Sequence, residues 1–153
     1  MRGPQAGLFD IAVWTPALQT YGAVTHLSVE VFNADNALAV GPAPSAPLVH
    51  VFERHGYDHE PFTDCARQCL AQTPGSRTVV VPSSAGLAVV GTALVLEGAI
   101  VGAAVAGYAL LDFPQTLLIE RLARQGNVPV RELWAVARQQ QPTTERRLVI
   151  YGE

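Results

Sequence analysis

The chain has 153 residues, the length of one domain, with 49% hydrophobic and 15% charged residues, enough apolar material to bury a continuous core. A net charge of -3, with no basic stripe interleaved with aromatics, argues against a nucleic-acid partner. All ten basic residues are arginine, which removes the phosphate-loop lysine, Schiff-base chemistry and lysine general bases.

The two cysteines, Cys65 and Cys69, are too few for a disulfide framework. Asp10 interrupts the first apolar run, so the N-terminus lacks the order of a signal peptide, and a cytoplasmic location is expected. Leu8 to Tyr21 carries Leu8, Ile11, Ala12 and Leu18 at helical spacing and reads as a first helix. Leu27 to Phe32 alternates as a strand, Asn33-Ala34-Asp35-Asn36 has turn chemistry, and Ala37 to Val40 resumes as a second strand. Gly41-Pro42-Ala43-Pro44-Ser45 is expected to break the sheet, with Ser45 capping a short helix from Ala46 to Arg54. Pro61 opens another helix that ends near Thr73-Pro74-Gly75, and Thr78 to Val81 is a third strand.

Ala85 to Leu111 then runs for twenty-seven residues with Glu97 as the lone formal charge. Its length suits a membrane helix. Against that, Glu97-Gly98 stands where a hairpin would turn, and the flanks carry Val89, Val90, Thr92, Val95, Ile100, Val101 and Val105, β-branched residues that favour a pleated backbone. No arginine and no aromatic belt bracket the stretch. Two long strands are therefore expected, Leu87 to Leu96 and Ala99 to Leu110, with no membrane insertion. Beyond them, Asp112-Phe113-Pro114 opens a helix stopped by Gly126-Asn127. Pro129 opens another, with Val130, Leu133, Trp134 and Ala137 on one face, and Pro142 ends it. Thr143 to Tyr151 reads as a last helix whose apolar residues lack an obvious partner.

The order helix, two strands, two helices, three strands, helices resembles α+β sensory domains of the GAF and PAS kind. The segments LVLEGAIVGAAVAGYALLDFP and ERLARQGNVPVRELWAVARQQQPTTERRLVIYGE resemble GAF-like domains, the PocR-like sensory group included, found in bacterial sensor histidine kinases and regulators. Together they fall within the last 60 residues. The resemblance implies a five-stranded antiparallel sheet in order 2-1-5-4-3 with helices on both faces, and a sensor domain over residues 1–142. It also implies a signalling helix that starts within 143–153. By the same resemblance, one sheet face holds a small-molecule pocket and the terminal helices pair across a two-fold axis. The function implied is sensing of a small apolar molecule by a homodimer without enzymatic activity of its own, the cofactor, if any, being unknown. A ligand-free dimerisation module is the alternative.

His50, His55, Tyr57, Asp58, His59, Asp64, Cys65 and Cys69 form the densest polar cluster. Cys65 and Cys69 are four apart on one helix face, and sulfur with imidazole suits zinc or iron. Their spacing matches no known finger, and small core cysteines with histidines on an exposed loop are the simpler account of the pattern. A bilin-type thioether at either cysteine lacks the sequence that usually surrounds it in such domains. Pro82-Ser83-Ser84-Ala85-Gly86 fails as a nucleophile elbow, since proline stands where the turn needs glycine, while Ser84 remains able to reach a ligand at a pocket rim. His50, His55, Tyr57, Cys65, Cys69 and Ser84 are thus the candidate ligand residues. Trp14, Leu18, Trp134, Leu148 and Ile150 are the candidate dimer contacts, and no catalytic or metal-ligating set is assigned.

Overall fold

A computed structural model describes residues 9–43, 46–56, 60–73, 78–82, 87–111, 116–140 and 142–153, except the side chain at position 145. In chain order the elements are α1 (Ile11–Thr25), β1 (Ser28–Asn33), β2 (Leu38–Ala43), α2 (Pro47–Arg54), α3 (Glu60–Leu70) and β3 (Val79–Pro82). They continue with β4 (Leu87–Leu96), β5 (Ala99–Leu110), α4 (Thr116–Gly126), α5 (Val130–Ala137) and α6 (Glu145–Gly152). The strands form one antiparallel sheet in the order β2-β1-β5-β4-β3, so the α+β class and strand order expected from the sequence are found. Among the described residues no helix is long and apolar enough to cross a membrane.

The long apolar stretch is a hairpin because Glu97 and Gly98 both take positive φ, 52° and 80°. A two-residue turn needs that geometry to match the twist of its strands. At the other hairpin, Asn33 Oδ1 accepts from the backbone N–H groups of Asp35 (2.9 Å) and Ala37 (3.1 Å), locking the turn with a side chain. β2 does not stop at Gly41. Two irregularities of register let it run on until Ala43 pairs with Val29, so the expected break is absorbed as bulges, where an extra residue bends the strand without ending it.

Asp10 caps α1, its carboxylate accepting from Ala12 N at 3.0 Å, which starts the helix later than the expected Leu8. His26, left-handed at φ 62°, stops it after Thr25, four residues beyond the expected end. The predicted cap Ser45 and the predicted opening Asp112-Phe113-Pro114 lie outside the described residues.

Each sheet face has its own core. On one side α2, α3, α4 and α5 bring Val49, Phe52, Phe62, Cys65, Leu122 and Leu133 onto Phe32, Val89, Val105 and Tyr108. On the other, Leu18 of α1 and Leu148 of α6 cover Val29, Val31, Val90 and Ala106. Away from the hairpin tip both faces of β4 and β5 are largely covered, which accounts for their apolar sequence there, whereas Val95 and Leu96 beside the turn are 46% and 45% exposed. The apolar end of the chain therefore has a partner after all: Leu148 is wholly buried against the domain's own sheet.

Strand β5 changes face along its length. Ala88 pairs with Ala109 but Val90 pairs with Ala106, so β5 carries one residue more than β4 over this span. Such a bulge inverts the alternation of side chains. Val105 and Tyr108 consequently both face α3, although their spacing in a regular strand would set them on opposite sides.

Candidate functional site

The bulge turns Tyr108 under a cavity of about 450 Å³ between α2, α3, α4 and the edge of β3 and β4. Its apolar wall comes from Phe52, Val81, Val89, Tyr108 and Leu122, and its polar groups are Glu60, Asp64 and Gln125. The aromatic floor is rigid, since Tyr108 meets Phe52 and Phe62 edge-on with ring centroids 5.5 and 5.1 Å away. Such pairings hold ring orientation as well as burying area. Asp64 is held by Arg67, Oδ1 to Nη1 2.9 Å, which fixes one side of the rim. The volume and the apolar lining with a few polar groups match what small organic ligands use.

The candidate ligand residues separate. Tyr57 and Ser84 lie outside the described residues. His50 is exposed on α2. His55 packs against α5, its Nε2 2.8 Å from Glu132 Oε2, and Arg54 meets the same carboxylate. None of His50, His55, Cys65 and Cys69 lines the cavity. α3 reaches it through its first turns, at Glu60, Pro61 and Asp64, while its cysteines lie deeper.

Cys65 and Cys69 are wholly buried against Gly91 of β4. A Cβ at Gly91 would stand 2.7 Å from Cys65 Sγ and 2.9 Å from Cys69 Sγ, so the glycine makes room for both sulfurs. The hydrogen bond between them, together with burial, pushes the Cys65 thiol far above its ordinary range, where it is a neutral, unreactive thiol. Among the described residues no three His, Cys, Asp or Glu side chains converge as a metal set requires.

The dimer candidates are also divided. Trp14 is half-buried and Leu18 buried on the α1 side, while Trp134 packs beside the opposite core with the Arg138 guanidinium 5.2 Å from its ring centroid. One surface therefore cannot hold all of these residues. Leu148 is committed to the core, and Ile150 is 60% exposed.

One buried group has no counterpart among the candidates from sequence. Glu30 of β1 is 5% exposed and shares a sheet face with its β5 partner Val105. Burial, and next the carboxylate of Glu53 on α2, raise its pKa to about 7. The β1 alternation places Glu30 opposite Val29 and Val31, and the strand alone does not say that both faces will be covered.

No protein-family model matches this chain, and no curated protein or solved structure matches it at a significant level.

Proposed function

We propose that this chain is a small-molecule-sensing domain of a bacterial signalling protein, GAF-like in its sensory role, which binds its ligand in the cavity over Tyr108. The observation that carries the reading is that preorganised cavity, with an aromatic and aliphatic floor and polar groups confined to its rim. The ligand it suits has an apolar body and a polar or cationic end that meets Glu60 and Asp64. Binding there presses on α3 and α4, so occupancy biases how the helices sit on the sheet.

A dimeric state belongs to the same reading. α1 has no charged residue from Ile11 to Thr25, and Ile11, Val13 and Val24 are 62%, 69% and 72% exposed. An uncharged helix that exposes three large aliphatic side chains suits a covering partner, and a second copy offering the same face is the partner that α1 suits. With Ile150 of α6 on the same side of the sheet, the interface would run along α1 and α6. A ligand-free dimerisation module is the second reading, and the exposed face of α1 favours it.

The two readings part in one experiment. Purified protein is screened by thermal shift against small aliphatic and aromatic amines and neutral aromatics, alongside light scattering. A ligand that raises Tm in the native chain and not in Val81→Trp, which fills the cavity from its edge, supports sensing. A stable dimer that responds to none of them supports the scaffold. A monomer for both the native chain and Val13→Asp removes the dimer from either reading.

A further inference from the structure

A second cavity, of about 360 Å³, lies where the end of α1, the starts of β1 and α2, the end of α5 and the first turn of α6 meet. Its chemistry is the reverse of the first. The cavity over Tyr108 has two carboxylates and no basic residue among the described residues that line it. The second is lined by Arg147, His26, Gln139, Gln140 and Thr143, with no carboxylate among the described residues that form it.

Three features converge on one side of it. Arg147 has no carboxylate partner among the described residues. Thr143 is pinned by its backbone, which donates to Leu110 O at 2.8 Å, yet its buried Oγ1 has no hydrogen-bond partner. A buried hydroxyl left unpaired costs roughly 1–3 kcal/mol, which a bound acceptor or donor would recover. Thr143 also immediately precedes Thr144, the N-cap of α6, whose side chain takes up the N–H of Arg147. The remaining N–H groups of that first turn give this side a partial positive charge. The end of α1 at Thr25 and His26 has the opposite polarity, so an anion belongs on the Thr143–Arg147 side.

We propose that this cavity binds a small organic anion, its carboxylate or phosphate held by Arg147, the Thr143 hydroxyl and the first turn of α6, with its carbon skeleton against Val136 and Pro142. Arginine suits either headgroup, because its planar fork donates two parallel hydrogen bonds. The site is independent of the cavity over Tyr108 and stands whether or not that cavity binds anything.

The test titrates the full chain with inorganic phosphate and, separately, with succinate at constant ionic strength, following backbone amides by NMR. Saturable shifts centred on Thr143 to Arg147 and on His26 are expected, with affinity about tenfold or more weaker in Arg147→Gln. Arg147→Lys restores part of it, and Thr143→Val weakens binding while conserving shape. The tighter of the two probes identifies the headgroup. Arg147 is exposed, so its variants are expected to fold, which their urea midpoints verify. Val81→Trp leaves the anion titration unchanged. Shifts that never saturate with either probe, or an affinity indifferent to both Arg147→Gln and Thr143→Val, overturn the proposal.

Discussion

The sharpest energetic consequence of the fold belongs to Glu30. Its carboxyl titrates near 4.5 when solvated and near 7 in the folded chain, raised by burial first and Glu53 second. A folded pKa above the unfolded one means that the native state holds the proton more tightly. The associated stability is complete below about 4.5 and is lost as pH rises through about 7. At 1.36 kcal/mol per pH unit the loss across that window is about 3 kcal/mol. Glu30→Gln replaces the protonated acid with a neutral side chain of nearly the same shape and removes the titration. Urea denaturation at pH 5, 6, 7 and 8 for both proteins isolates Glu30, because the two chains differ in that one side chain. The variant is expected to gain on the native chain by about 3 kcal/mol between pH 5 and pH 8. Stability profiles that stay parallel over this range refute the assignment of a buried, proton-holding Glu30.

Gly91→Ala would drive a methyl group against the sulfurs of Cys65 and Cys69, and a loss of about 1–3 kcal/mol in urea unfolding is expected from overpacking. Gly91→Ala combined with Cys69→Ala should recover part of that loss. Leu148→Ala removes a wholly buried side chain and is expected to cost about 2–5 kcal/mol, whereas Ile150→Ala should leave the unfolding midpoint nearly unchanged; equal effects would place α6 off the sheet. Asp10→Ala deletes the cap on Ala12 N and should cost about 1 kcal/mol, seen as earlier amide exchange in the first turn of α1.

Much of the architecture was legible because it rests on local chemistry. Glu97-Gly98 marks a turn whatever surrounds it, and Asn33 carries the side chain that closes the first hairpin. Gly126-Asn127 likewise ends α4 by the left-handed Asn127, φ 54°. The continuation of β2 through Gly41 and Pro42 was not legible, since it depends on register against β1 and on bulges that composition does not announce. The same holds for the cavity. Tyr108 lines it only because β5 gains a residue relative to β4 between Val105 and Tyr108, and a strictly alternating strand would have sent the ring to the other core. The histidines are dense in sequence, but α2 directs His50 to solvent and its end directs His55 to Glu132. The residues that do meet over Tyr108 come from five separate elements, α2, α3, α4, β3 and β4, a convergence that only tertiary packing creates.

The small residues of the β4–β5 hairpin serve different ends on its two faces. Toward α3, the bare Cα of Gly91 receives two sulfurs, so the helix sits close and the core there is dense. Toward α1 and α6, Thr92, Ala104 and Ala106 present short side chains to helices that cover them incompletely, leaving a groove of about 250 Å³ floored by the sheet. Tyr21 of α1 closes one end of this arrangement, its hydroxyl donating to Tyr151 O of α6 at 2.9 Å. Burial, then the neighbouring Tyr151, raise the Tyr21 pKa to about 12, so that hydrogen bond persists across the physiological range. The terminal helices are therefore joined to each other by a specific polar contact and to the sheet by few side chains, chiefly Leu18 and Leu148. The α2–α5 face is fixed by interlocked aromatics and an ion pair between helices. Of the two layers, the one formed by α1 and α6 therefore has the less interdigitated seat on the sheet.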